Sequence, residues 1–211
     1  DFSPNLNLSF YELDLDELGV IFSSDDYLHA EFDLTQEESS SVEVITLNYV
    51  EPSVDFEAFV NVSLHPELGS FEEDAVLSSG LFVFNEFNDD LFFGCDFIYN
   101  SSGYYFMGES DIDETNLPIS GVADSGILSL SFDSVNNQST CSYDGNEITF
   151  NATVGEDYVL ALGMGLDRDE NWDNVTGAGN VSMDDLTFTT ISPGFLESFF
   201  DDFSPNLNLS F

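Results

Sequence analysis

SVDFEAFVNVSL, at Ser53–Leu64, carries the cleanest two-residue period in the chain. Val54, Phe56, Ala58, Val60, Val62 and Leu64 occupy alternate positions, the spacing of a strand with one face buried. Working outward, Tyr27–Leu34 repeats the pattern through Leu28, Ala30, Phe32 and Leu34, and Leu6, Leu8 and Phe10 mark another half-buried strand. Ser41–Val50 alternates too, but Val42 and Val44 give way to Ile45, Leu47 and Tyr49. That phase slip predicts a β-bulge.

Downstream, Gly80–Asn88 and Leu91–Tyr99 are aromatic runs separated by Asp89-Asp90, read as a hairpin. Gly103–Gly108, Ile127–Val135, Ser139–Tyr143 and Glu147–Thr153 follow, the last two joined by Asp144-Gly145, a strong hairpin-turn signal. Tyr158–Gly165 and Val181–Thr190 complete the set. Pro66–Leu77 is the one helical candidate, and Phe195–Phe200 reads as a turn. So many short strands with regular turn signals predict an all-β fold, a two-sheet antiparallel β-sandwich.

The chain has 211 residues, of which 42 are Asp or Glu and one, Arg168, is Lys or Arg, giving a formal net charge of −41. With 22 Phe and 8 Tyr there is ample material for a core, so the acidity is not that of a disordered tail. Such a charge repels itself and is offset by salt or divalent cations. A saline or calcium-containing setting is expected. Nucleic acid is excluded as a partner, because nothing here neutralises phosphates. No apolar run is long enough to span a bilayer, so no membrane insertion is expected.

Cys95 and Cys141 are the two cysteines, both in strand-like runs. One disulfide between neighbouring strands is expected, with two buried free thiols as the alternative. Asn-x-Ser/Thr occurs at Asn7, Asn61, Asn100, Asn137, Asn151, Asn174, Asn180 and Asn208, an excess that suggests N-linked glycans on an exported protein.

DFSPNLNLSF occurs twice, at Asp1–Phe10 and at Asp202–Phe211. Ten identical residues in order point to a tandem repeat. The expected organisation is one sandwich over 1–190, a short inter-repeat linker over 191–201 with Pro193-Gly194, and the first strand of a next copy over 202–211. Asp202, Phe203, Leu207, Leu209 and Phe211 then form an assembly strand, either within a covalent array or added to a neighbour's sheet edge.

Among chemistry-bearing groups, Asp167, Asp169, Asn171 and Asp173 stand at alternate positions, the ligand spacing of a calcium loop, although the Gly and the final Glu of an EF-hand are missing. A solvated acidic loop is the alternative. Asp184 and Asp185, with Asp201 and Asp202, suggest a second cation site at the repeat junction. His29 and His65 are isolated, and His29 falls on the solvent phase of its strand. Trp172 is read as a packed aromatic, with stacking on a sugar as the sharper alternative.

Several stretches resemble the concanavalin A-like lectin/glucanase jelly roll, including its laminin-G-like members. FFDDFSPNL at Phe199–Leu207 resembles the entry strand, DDYLHAEFDL at 25–34 the second, and SVDFEAFVNVSL the long strand that follows. GILSLSFDSVNNQSTCSYDGNEITF, residues 126–150, resembles the paired central strands, and GNVSMDDLTFTT at Gly179–Thr190 the closing strand. The resemblance spans nearly the whole repeat. One departure is Phe10-Tyr11 where these domains usually have Trp. The resemblance implies glycan binding or glycoside hydrolysis. Hydrolases of this fold carry Glu-x-Asp-x-x-Glu on one strand, and no strand here does; Asp111-Ile112-Asp113-Glu114 is the nearest match, so no enzyme is expected. The sequence is read as a structural repeat of a large acidic extracellular filament, sheath or adhesin stalk, with neighbouring copies as partners. The alternative is a lectin-like, polysaccharide-binding repeat of a surface adhesin.

Overall fold

Period-two alternation becomes strand in every described segment that shows it. The computed structural model describes residues 11–15, 20–23, 27–37, 40–50, 53–71, 75–112, 119–168, 175–192 and 195–201. The strands are β1 (Tyr11–Leu15), β2 (Val20–Ser23), β3 (Leu28–Glu37), β4 (Ser40–Val50), β5 (Asp55–Pro66), β6 (Ala75–Asn85), β7 (Asn88–Asn100) and β8 (Gly103–Ser110). They continue as β9 (Ile119–Ser120), β10 (Ser125–Asp133), β11 (Gln138–Tyr143), β12 (Asn146–Asn151), β13 (Tyr158–Arg168), β14 (Val175–Ser192) and β15 (Phe195–Asp201).

They form two antiparallel sheets. One has the order β1-β4-β13-β6-β7-β8-β9; the other runs β12-β11-β10-β5-β14-β3-β2, with β15 on β14. In β5 the buried positions are Phe56, Ala58, Val60, Val62 and Leu64, as the alternation requires. The inward faces of both sheets meet in one core. Phe56, Phe93, Phe132 and Phe188 pack there with ring centroids 5.6–6.3 Å apart, and Phe97 stacks on Tyr143 at 4.5 Å. Such aromatic pairs add roughly 0.5–1.5 kcal/mol each beyond their area burial.

Where the phase of β4 slips, its register on β13 shifts as well: Val159 pairs Tyr49 while Ala161 pairs Ile45, so β4 carries two more residues than its partner there. The β11–β12 turn is the expected one, with positive φ at both Asp144 (47°) and Gly145 (81°), as a type I′ hairpin requires. Cys95 and Cys141 are joined, but not between neighbouring strands. Cys95 lies on β7 and Cys141 on β11, in different sheets, so the bond ties the two layers through the core.

Three other expectations are corrected. The described residues of Pro66–Leu77 hold no helix: Pro66 ends β5, Ala75 begins β6, and Gly69 at φ 90° turns the chain after β5. That turn is tied to β14 by Glu67 N–H donating to the Ala178 carbonyl at 2.8 Å and Ala178 N–H donating to Ser70 Oγ at 2.9 Å. The β6–β7 turn sits at Glu86-Phe87, not at Asp89-Asp90, because Asn85 Oδ1 accepts the Phe87 N–H at 3.0 Å and closes the chain there. Phe195–Phe200 is strand, not turn. Leu186–Ser192 of β14 pairs β15, while Val175–Met183 of the same strand pairs β3. Residues 191–201, expected as a linker, thus carry the end of β14 and all of β15. Between the two halves of β14, its register on β5 shifts between Asp184 and Thr187, and Asp185 takes φ 57°.

Both copies of DFSPNLNLSF, and with them Leu6–Phe10, Asn7, Asp202, Phe203, Leu207, Asn208, Leu209 and Phe211, lie outside the described residues. So do Asp169, Asn171, Trp172, Asp173 and Asn174. No described helix is long and apolar enough to cross a membrane.

Candidate functional site

Alternation that buries one face of the eight-stranded sheet turns the other face outward as rows of polar groups. Register places Asp184, Asn61 and Ile127 in one row across β14, β5 and β10. The next row along runs His29, Ser182, Ser63 and Ser125, from β3 through β14 and β5 to β10. All of these but His29 line an open groove of about 420 Å³, lined also by Tyr27, Val62, Gly126, Asp144 and Met183. Tyr27 and Ile127 are 44% and 53% exposed, so an aromatic ring and a branched aliphatic chain flank a lining of hydroxyls, an amide and carboxylates.

The groove's polar groups are held in place. Asp144 sits in the β11–β12 turn and folds over β10, where its Oδ1 accepts the Ile127 N–H at 3.4 Å. A Cβ at Gly126 would lie 2.7 Å from the Asp144 carboxylate oxygens, so any larger residue there would push that side chain aside. Asn61 Nδ2 donates to Asp185 Oδ2 at 2.8 Å, and Asp185 N–H donates to Asp184 Oδ1 at 2.8 Å. On the β3 side, His29 Nδ1 is 2.9 Å from Ser182 Oγ and His29 Nε2 is 3.3 Å from Glu31 Oε1. Tyr27 meets the His29 ring edge to face, with centroids 5.6 Å apart.

The seven-stranded sheet presents a different outer face. The Phe82 ring lies flat over the backbone, close enough that a Cβ at Gly80, Gly94 or Gly163 would meet it at 2.3–2.9 Å. Beside it, Asp96 on β7 and Glu109 on β8 hydrogen-bond to each other. Burial first, then the charges of Glu109 and Asp167, holds the Asp96 carboxyl well above the usual carboxylate range. Burial also raises Glu109, against the opposing effect of its bond to Asp96. The pair therefore keeps a proton that an exposed pair would lose.

The sequence-derived sites fall unevenly. Asp184 reaches the groove, and Asp185 braces it through Asn61. Asp167 lies on the opposite sheet, close enough to raise Asp96. Among the described residues, no three His, Cys, Asp or Glu side chains gather into a metal-binding group. Of the sequons, Asn137 is exposed in the β10–β11 turn at φ 51°, and Asn151 is exposed at the end of β12. Asn100 caps a turn by accepting the Ser102 N–H, while Asn61 and Asn180 stand within central strands. Strand phase in the sequence sets His29 on the solvent face, and acidity marks Asp184 and Asp185 as candidate cation ligands, but neither groups Tyr27, Asn61, Ser63, Ser125, Asp144 and Ser182 together. Their signal is only strand phase, and it becomes visible once pairing order is known.

No protein family matches the chain, and no curated protein does. Solved structures do. A peanut lectin bound to a nine-residue peptide is 12% identical, covering 92% of this chain and 96% of its own, with a TM-score of 0.53. A marine alginate lyase of polysaccharide lyase family 7 from Zobellia galactanivorans is 11% identical, covering 78% of each chain, with a TM-score of 0.58. A functionally unknown protein from Saccharomyces cerevisiae is 13% identical over 88% of this chain and 99% of its own, at a TM-score of 0.54. The fold is thus a concanavalin A-like jelly-roll β-sandwich, as the sequence resemblance implied. Both lectins and lyases share it.

Proposed function

We propose that this chain is an extracellular carbohydrate-binding module, lectin-like in its mode of action, with the groove on the eight-stranded sheet as its site. The observation that carries the reading is the convergence of Tyr27, Asn61, Ser63, Ser125, Asp144, Ser182 and Asp184 around one open groove. Planar carboxylates, an amide and hydroxyls pair with vicinal sugar hydroxyls, and an exposed ring covers the apolar face of a pyranose. A volume of about 420 Å³ suits one or two sugar rings at a time along a longer chain. The lectin and lyase neighbours support a polysaccharide ligand by analogy of fold only. The disulfide suits an oxidising, extracellular compartment.

Glycoside hydrolysis is not part of the reading. Asp96 and Glu109 hydrogen-bond directly, closer than the roughly 5 Å that a retaining pair needs. The test is a glycan array with wild-type protein and the Asp144→Ala and Tyr27→Ala variants. Binding to a defined set of glycans, weakened at least about tenfold in both variants, is the expected result; that loss is about 1.4 kcal/mol. A wild-type protein that binds no glycan sinks the proposal.

A second reading, a repeat of an acidic filament or adhesin stalk, rests on a specific observation, the duplicated DFSPNLNLSF. The two readings are compatible, since a stalk repeat can carry a binding groove.

A further inference from the structure

One constellation at the groove's edge joins a residue of the groove, Ser182, to two that do not line it, His29 and Glu31. His29 on β3 faces Ser182 on β14, with Nδ1 2.9 Å from Oγ, and its other nitrogen, Nε2, is 3.3 Å from Glu31 Oε1, two residues along the same strand face. When the serine hydroxyl donates to Nδ1, the ring carries its proton on Nε2 and donates it to the carboxylate. That is the order of groups an activated nucleophile requires: hydroxyl, base, and a carboxylate that fixes the base's tautomer. Ser182 itself lines the groove. On its other side, β5 presents Ser63 in register, a hydroxyl on the same face.

We propose that Ser182, His29 and Glu31 form a nucleophile–base–carboxylate relay that hydrolyses ester groups, such as O-acetyl substituents, on a carbohydrate held in the groove. The choice of a carbohydrate ester rests on the binding role proposed above; the relay itself does not. Ser182 Oγ attacks the ester carbonyl carbon, and its proton passes to His29 Nδ1. Ser63 donates to the oxygen that becomes negative. The tetrahedral intermediate collapses, the bond to the sugar oxygen breaks, and that oxygen takes the proton from Nδ1. Water then attacks the acyl-serine and gives a proton to His29. The acyl–Oγ bond breaks, Ser182 recovers its proton, and the free acid leaves. Glu31 is a positioning residue, holding the imidazole in the required tautomer.

The test uses p-nitrophenyl acetate turnover, with intact-mass detection of an adduct from a fluorophosphonate probe. Wild type is expected to turn over ester and to take one adduct on the peptide carrying Ser182. Ser182→Ala removes the adduct, and Ser182→Ala and His29→Ala each lower kcat/KM at least about 100-fold, the scale of general-base loss. Glu31→Gln lowers kcat while leaving KM and melting temperature unchanged, a split that a merely structural role would not produce. Wild-type turnover and labelling no greater than those of Ser182→Ala overturn the proposal. Glycan binding on the array without any adduct removes the esterase alone. An adduct without glycan binding keeps the relay and removes the carbohydrate reading.

Discussion

Asp96 shows how much one side chain can set against the fold. It stands on β7 next to Glu109 of β8, within the field of Asp167, and its carboxyl is held well above the ordinary range chiefly by burial. Glu109 is raised as well. The folded chain therefore keeps these protons at a pH where the unfolded chain has released them. Their stabilising contribution is full below the ordinary carboxylate pKa of about 4, and it is lost as pH rises through the raised folded values. Asp96→Asn keeps a hydrogen-bonding partner for Glu109 but removes the carboxyl that must hold a proton. We expect Asp96→Asn to raise the melting temperature at pH 7 and to leave it nearly unchanged at pH 4. Each kcal/mol relieved corresponds to about 2–4 °C in a chain of this size. Melting curves of both proteins across that range check the claim, and equal shifts at the two pH values would count against a shared proton. At the same scale, the inward residues of β5 were legible from sequence, because a period of two names them directly. Asp96 was not, since nothing in FFGCDFIY says that β8 will set Glu109 beside it.

At the scale of elements, the inter-sheet disulfide is the main covalent constraint. Cys95 and Cys141 are separated by 46 residues, and closing a loop of that length stabilises by about 4 kcal/mol in the chain-entropy model. Reduction, or the Cys95→Ser/Cys141→Ser pair, is expected to lower the melting temperature by roughly 8–16 °C at 2–4 °C per kcal/mol. Circular dichroism melts with and without reductant measure it; an unchanged transition would show that the two sheets need no tie. Sequence pointed to the bond but paired the wrong kind of strands, because spacing along a chain does not say which layer a strand joins. The misplaced β6–β7 turn has a comparable cause. Asp89-Asp90 looks like a turn but lies within β7, while the true turn carries Phe87, 78% exposed, which looks like strand. The helical reading of Pro66–Leu77 failed because Glu67, Ser70 and Ala178 form a tertiary knot with a partner 108 residues from Ser70. The groove was hidden for the same reason, since His29 and Ser182 are 153 residues apart and their contact exists only once β3 pairs β14.

For the whole molecule, a net charge of −41 acts against compactness everywhere at once. Raising sodium chloride from about 0.01 to 1 M shortens the Debye length from roughly 30 to 3 Å, and the melting temperature should climb steadily over that range. Calcium at matched ionic strength separates screening from binding. An additional rise abolished by Asp167→Asn would support a calcium loop over 167–173, and equal rises with either salt would assign the acidity to solvation. The central claim concerns the molecule's outer faces: ligand is held by the eight-stranded sheet, not by the seven-stranded one. The most direct measurement is a nitrogen-15 NMR titration with an oligosaccharide selected from the array. The account expects amide shifts concentrated at Asn61, Ser63, Ser125, Ile127, Asp144 and Ser182. Shifts centred on Phe82, Asp96 and Glu109 would contradict it.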